Sequence, residues 1–282
     1  MQNKEIKLIA LDLDRTTLDS NSRLSERTKA AIEEAINKGI HVIVATGRAF
    51  SALPEDVHKI NGLKYIASSN GATVMDIAAG ERIYSNCIDA AALENAVGVL
   101  SRYKFMLEFF IDGYAYVEKS VYDNIDNTNF RDRHKKYIKD SRNPVEGLIP
   151  FVLEHKGAVE NINVNFEDLN EKAAMREILA TLPGVTLTSS FDHNLELGGE
   201  TTSKADALRM LCEKLNVSAD QVMACGDNPN DLAMLNFAGL SVAVGNAHEE
   251  LKAAADYITS TNDEEGVAEV IEKFVLSRFR TA

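Results

Sequence analysis

The chain has 282 residues, 45% of them hydrophobic and 26% charged, a balance that excludes a disordered or fibrous protein. A net charge of −13 excludes non-specific nucleic-acid binding, which depends on Lys and Arg contacts to phosphates, yet allows a small anionic ligand wherever a local cation or metal reverses the field. No stretch approaches the roughly 20 apolar residues of a membrane span. Residues 1–7 lack the apolar centre of a secretory signal, and Cys87, Cys212 and Cys225 are widely spaced, so a cytoplasmic protein with reduced thiols is expected.

Residues 6–13 read IKLIALDL, a short apolar run of the kind buried on both faces of a parallel sheet. Ser25 is a candidate N-cap, Ala31, Ile32, Ala35 and Ile36 form an apolar helical stripe, and Gly39 is the expected stop. Residues 41–45 (HVIVA) predict a second buried strand that ends in Thr46-Gly47-Arg48, and residues 65–68 (YIAS) a third that runs into Ser69-Asn70-Gly71-Ala72. Strand and helix in alternation predict right-handed parallel α/β units.

Residues 86–197 follow another grammar. Segments 105–110 and 114–118 are strand-like and joined through Asp112-Gly113, a hairpin signal; 159–166 alternate as a half-exposed strand; 170–182 are helical; and 185–197 hold two more strands. The basic run Arg131 to Lys136 reads as a solvated helix face. Asp192, His193 and Asn194 read as a turn that is also a candidate for ligand contact. The α/β grammar resumes with a helix over 205–215, a strand over 221–225 ending in Gly226-Asp227, a helix through Leu232 and Leu235 to Gly239, a strand over 241–244 and a closing helix over 265–279. The expected fold is therefore α/β: a Rossmann-like doubly wound parallel sheet from residues 1–85 and 198–282, interrupted by an α+β domain over 86–197.

Ligands in open α/β sheets sit beyond the carboxyl ends of the strands. There the sequence places Asp12 and Asp14, then Thr46, then Asn70, then Asp227 and Asp231, with Lys204 opening the helix that precedes the Asp227 strand. Carboxylates converging in one crevice require a cation, and oxygen ligands without His or Cys favour Mg²⁺. In Asp12-x-Asp14, alternate residues of an extended segment face the same way, so one carboxylate can attack while the other handles a proton. A carboxylate attacking a phosphoryl group meets a repulsion of about 4 kcal/mol per unit-charge pair at ~4 Å and an effective dielectric of ~20. A metal and a lysine aimed at the phosphoryl oxygens offset it.

Asp12-Leu13-Asp14-Arg15-Thr16, the Thr46-Gly47-Arg48 turn, Lys204, and Gly226-Asp227-Asn228-Pro229-Asn230-Asp231 resemble the four ordered motifs of the haloacid dehalogenase superfamily. Asn70-Gly71-Ala72 and Gly245-Asn246-Ala247 are similar to further signatures of its Cof-type sugar-phosphatase branch, whose α/β cap is inserted where residues 86–197 lie. The resemblance implies an Mg²⁺-dependent phosphatase acting on a small-molecule phosphate ester; the charge and hydropathy above lead to the expectation of no nucleic-acid or membrane partner. The resemblance also implies Asp12 as nucleophile and Asp14 as general acid/base. Asp12, the Asp14 carbonyl and Asp227 would be metal ligands, with Asp231 supporting them. Thr46, Lys204 and Asn230 would bind the phosphoryl group, and Arg15, Gly47 and Asn70 are further candidates for substrate contact.

Three positions depart from the family pattern: Arg15 stands where glycine is usual, Thr17 where a hydrophobic residue is usual, and Ala205 where glycine follows the lysine. Ala205 suits a helix start. Arg15 would serve as an extra anion clamp, point to solvent, or pair with Asp14 and weaken it as an acid. A phosphomutase and a non-catalytic phosphometabolite-binding protein share the same motifs, and nothing in the sequence sets the oligomeric state.

Overall fold

A computed structural model describes residues 5–279. The first strand, β1 (Leu8–Leu11), is wholly buried. Helix α1 (Glu26–Asn37) begins at Ser25, whose hydroxyl oxygen accepts a hydrogen bond from the Thr28 N–H, and buries Ala31, Ile32 and Ala35. Gly39 follows it at φ +82°. Strand β2 (His41–Ala45), the single turn α2 (Glu55–His58) and β3 (Tyr65–Ser68) continue the parallel pattern. Strands β4 (Thr73–Asp76) and β5 (Glu81–Ser85), which the sequence reading does not anticipate, extend the edge antiparallel to β3 and to each other.

The insert then contributes α3 (Ala90–Leu100), β6 (Met106–Ile111), β7 (Tyr114–Glu118), α4 (Lys119–Asp123), α5 (Asp132–Ser141), β8 (Arg142–Val145), α6 (Leu148–Glu154), β9 (Val159–Asn165), α7 (Leu169–Leu179), β10 (Val185–Thr188) and β11 (Asn194–Gly199). The β6–β7 hairpin turns on Asp112 and Gly113, both at positive φ, as a two-residue turn between twisted strands requires. The chain returns through α8 (Lys204–Leu215), β12 (Val222–Gly226), α9 (Leu232–Phe237), β13 (Leu240–Ala243), α10 (Glu249–Ala254), β14 (Tyr257–Ile258) and α11 (Gly266–Phe274).

These elements form two sheets. The first has the order β14-β13-β12-β1-β2-β3-β4-β5, parallel from β14 to β3, and its apolar strands are packed between helices. From β1 the chain steps outward through β2 to β3, then later back through β12 to β14. The order thus reverses at the β1–β12 pair and opens a crevice beyond their carboxyl ends. This is the α/β Rossmann-like core that the sequence predicts.

The second sheet has the order β10-β11-β9-β6-β7-β8. On one face Leu195, Leu197, Ile162, Val164 and Phe109 pack against α3, α6 and α7. On the other, cross-strand rows run Asn194–Asn165–Met106 and Glu196–Asn163–Glu108. Here the expectation of a half-exposed strand over 159–166 needs correction: all seven residues of β9 are buried, asparagines included. The polar face is covered by the first unit, where Phe110 and Ala115 pack on Ala49 and Ala52, and Glu160 accepts a 2.6 Å hydrogen bond from Ser69 Oγ. Alternation reports which side of a strand is polar; a partner from elsewhere in the chain decides whether that side meets water.

Candidate active site

Asp12 follows β1 directly, and Asp227 follows β12, so the two strands flanking the crevice each deliver one carboxylate to it. Asp231 comes from the turn that opens α9. Its Oδ2 accepts the backbone N–H groups of Asp227 (3.0 Å) and Asn228 (3.1 Å), which fixes its direction. Gly226 makes this approach possible, because a Cβ there would stand 2.5 Å from the Asp231 Cβ. Lys204, the first residue of α8, is 1% exposed. Its Nζ donates to Asp12 Oδ1 at 2.5 Å and to Asp231 Oδ1 at 2.7 Å. Asp227 is held in turn by Thr16 Oγ1 (3.1 Å) and Asn228 Nδ2 (2.7 Å).

Electrostatically the cluster is strained by its own sign. Burial pushes the Asp12 carboxyl well above the usual range, and Asp231 adds to the rise while Lys204 opposes it. Asp227 rises likewise, through burial and then through repulsion by Asp12 and Asp231; the charge of Arg15 pulls it back down. Burial disfavours the charged Lys204, but Asp12 and Asp231 more than offset it, so the ammonium is retained. Three carboxylates thus share one buried ammonium, and a carboxylate oxygen from each of Asp12, Asp227 and Asp231 lies within 4.8 Å of the others. Asp12 Oδ2 is buried without a hydrogen-bond partner, whereas both Asp231 oxygens are engaged. Free carboxylate oxygen, excess negative charge and an all-oxygen donor set fit a hard divalent cation.

Asp14 stands at the mouth of the site, a quarter exposed, and is gripped bidentately by Arg48: Nε to Oδ2 at 2.7 Å and Nη2 to Oδ1 at 2.6 Å. Thr46 is buried at the end of β2, and its Oγ1 accepts the Arg48 N–H. Asn70, at φ +56°, accepts through Oδ1 a 3.0 Å hydrogen bond from Asn230 Nδ2, which also reaches Ser190 Oγ at 3.2 Å. Gly47 lies between these groups, since a Cβ there would stand 3.1 Å from both Asn70 Oδ1 and Ser190 Oγ. Ser190, on the insert, also donates to Glu196 in β11, a carboxyl raised by burial against hydrogen bonds from Ser190 and Asn70.

The departures from the family pattern have local explanations. Arg15 adopts φ +62°, the left-handed region where glycine is at ease, and its carbonyl accepts a 2.8 Å hydrogen bond from Asn246 Nδ2. Its side chain is exposed, and the guanidinium on Asp14 belongs to Arg48. The Thr17 hydroxyl donates to the Asp12 carbonyl at 2.5 Å and so braces the turn Leu13–Thr17. Ala205 is buried in the first turn of α8.

The structure therefore brings Asp12, Asp227, Asp231 and Lys204 into one cluster, with Thr16 and Asn228 around it. Asn70, Asn230 and Gly47 form a second group with Ser190 and Glu196, while Asp14 sits with Arg48. Sequence reasoning misses Ser190 and Glu196, which lie in the insert without a motif. The turn at Asp192, His193 and Asn194 was legible, but Asn194 spends its Oδ1 on the Ser190 and Phe191 N–H groups, and Ser190, two residues before that turn, is the residue that reaches the core.

Residues 9–271 match the model of the haloacid dehalogenase-like hydrolases. The chain is 30% identical to phosphatase YwpJ of Bacillus subtilis over 95% of its own length and 99% of that protein's. It is 29% identical to 5-amino-6-(5-phospho-D-ribitylamino)uracil phosphatase YcsE of the same organism, over 98% of both chains. A solved haloacid dehalogenase-like hydrolase from B. subtilis superposes with a TM-score of 0.82 at 29% identity, covering 95% of this chain and 99% of its own. With its motifs, its sheet order and its full-length relatives in agreement, the chain belongs to the haloacid dehalogenase-like hydrolases.

Proposed function

We propose that this hydrolase is an Mg²⁺-dependent phosphatase that cleaves a small-molecule phosphate monoester through a phosphoryl group carried on Asp12. The observation that carries the reading is the buried Asp12–Lys204–Asp231 ion cluster beside Asp227, with a second carboxyl, Asp14, held separately by Arg48. A nucleophile and an acid/base are thereby given different surroundings, as the two half-reactions require. The phosphatase names of the full-length relatives support the same class.

Asp12, Asp227 and the Asp14 carbonyl would hold Mg²⁺, with Asp231 bracing them; the ion supplies charge neutralisation at the phosphoryl oxygens. In the first half-reaction an Asp12 carboxylate oxygen bonds to phosphorus as the bond to the leaving oxygen breaks, and Asp14 gives that oxygen its proton. In the second, Asp14 takes a proton from water while the water oxygen bonds to phosphorus and Asp12 is released. Lys204 pins Asp12 through Oδ1, and Thr46, Lys204 and Asn230 are the donors for the transferring group. Residues 86–197 act as the cap, and Ser190 and Glu196 belong to its contribution. Among the described residues no helix is long and apolar enough to cross a membrane.

The test is a panel of phosphate monoesters assayed with Mg²⁺ and with EDTA. Release of inorganic phosphate that EDTA abolishes and Mg²⁺ restores is the expected result. Tight binding of an ester without turnover would instead point to a sensor, and dependence on a bisphosphorylated activator to a mutase.

A further inference from the structure

The basic run that opens α5 has no place in the chemistry above, yet it makes two contacts with the core. Arg133 donates from Nη1 to the Ser20 carbonyl (2.5 Å) and from Nη2 to Ser22 Oγ (2.7 Å), both on the loop that follows the Asp12 turn. One helical turn later, the Tyr137 ring lies 5.0 Å from the guanidinium carbon of Arg48, the residue that grips Asp14. The same ring lies 4.5 Å from the guanidinium of Arg142, which is buried in the insert with Glu108 at 2.6 Å.

We infer that α5 is a latch, and that Tyr137 is a positioning residue which sets the general acid by immobilising Arg48. The inference rests on the reading of Asp14 as acid/base. Its physical basis is exposure: the Asp14 side chain is 26% exposed, and ion pairs open to water are held weakly because solvent competes for both partners. An aromatic ring over the guanidinium attracts the cation and excludes water from one side of it. Arg48 is further fixed by a 3.0 Å bond from Nη1 to the Ala52 carbonyl. With Tyr137 seated, the fork of Arg48 has one orientation, and so does the carboxyl that must face the leaving oxygen. Arg142, anchored by Glu108, keeps the ring in place from the insert side. The acid is therefore correctly aimed only when α5 is docked, which ties proton transfer to the seating of the insert.

A role through Asp14 leaves a signature that a merely structural role does not. An alkyl leaving group needs a proton, whereas p-nitrophenolate leaves without one. Tyr137→Leu is therefore expected to lower kcat/KM, which leaves out the second half-reaction common to both esters, by about tenfold or more for the best alkyl phosphate of the panel, a part of the 10²–10⁴-fold that general acids contribute, and several-fold less for p-nitrophenyl phosphate. Tyr137→Phe, which keeps the ring, is expected to restore the wild-type ratio between the two esters. An equal loss on both esters, or no loss on either, would overturn the latch. Should Tyr137→Leu fail to fold by circular dichroism, Arg133→Ala, at an exposed residue, decides the matter by the same ratio. Asp12→Asn separates the two claims: it removes both activities alike if the functional reading stands, while the ratio moves only if α5 acts through Asp14.

Discussion

The inner strands of both sheets are buried, but the two sheets differ in what covers their faces. Between β14 and β3 the first sheet is parallel, with helices on either side, so apolar side chains suffice on both faces and polar ones gather at the strand ends. The second sheet has an apolar face under α3, α6 and α7, and a face of asparagines and carboxylates turned toward the core. Burying polar groups without partners costs about 1–3 kcal/mol each. Here much of that cost is met by pairing: Arg142 with Glu108, Asn165 Nδ2 with Glu108 at 3.0 Å, and Asn194 Nδ2 with Asn163 Oδ1 at 3.0 Å. Both amide atoms of Asn161 stay unpartnered. One sheet is thus a scaffold that holds reactive groups at its rim, and the other spends stability on a polar surface facing those groups.

The sharpest way to test this division is at the rim of the first sheet. Asp12→Asn is expected to reduce phosphate release by about 10⁴-fold or more, since the amide cannot serve as nucleophile, with thermal stability retained. Single-turnover assays and mass spectrometry to exclude deamidation check it. Turnover within tenfold of wild type would remove Asp12 from the mechanism.

The polar face of the second sheet should be sensitive in stability instead. Glu108→Ala leaves Arg142, 2% exposed in its side chain, without its carboxylate. A loss of about 3–5 kcal/mol in urea unfolding is expected, and a paired Glu108→Leu/Arg142→Met variant is expected to recover most of it. Failure of the pair to recover would mean that the face is held by more than this ion pair.

A slightly smaller effect concerns acid. Burial, with His193 and Arg142 nearby and Glu108 opposing them, lowers His134 from 6.5 to about 4. The folded protein therefore keeps this ring neutral while the unfolded chain takes up its proton below about pH 6.5. Stability contributed by the neutral ring is present above that pH and lost as pH falls from about 6.5 to about 4, by about 3 kcal/mol. Denaturant titrations across this range are expected to show a shallower decline in His134→Phe; an unchanged slope would assign the acid sensitivity to other groups.

The smallest change belongs to Arg15. Glycine at φ +62° relieves a left-handed side chain, so Arg15→Gly is expected to stabilise by up to about 1 kcal/mol. If the exposed guanidinium also clamps a second anion, the variant raises KM for doubly charged esters more than for simple ones. Equal effects on both would reject the clamp.

By itself the sequence determined the α/β core, because its strands are unbroken apolar runs and its helices carry caps and stripes that need no partner to be recognised. Strand order then put Asp12, Thr46, Asn70 and Asp227 at carboxyl ends, and the GDxxND turn located Asp231. The edge hairpin β4–β5 was not legible, since Glu81 to Ser85 is half-exposed and lacks either apolar periodicity. Nor could alternation over β9 reveal what covers its polar side. Tertiary structure alone decided that Arg48 rather than Arg15 holds Asp14, that Ser190 and Glu196 meet Asn230 and Gly47, and that a basic helix reaches the core through Arg133 and Tyr137. Those contacts join residues tens to more than a hundred positions apart, through single polar or aromatic side chains. Local periodicity carries the burial of a face, but the choice of partner across such distances is made only when the two sheets pack together.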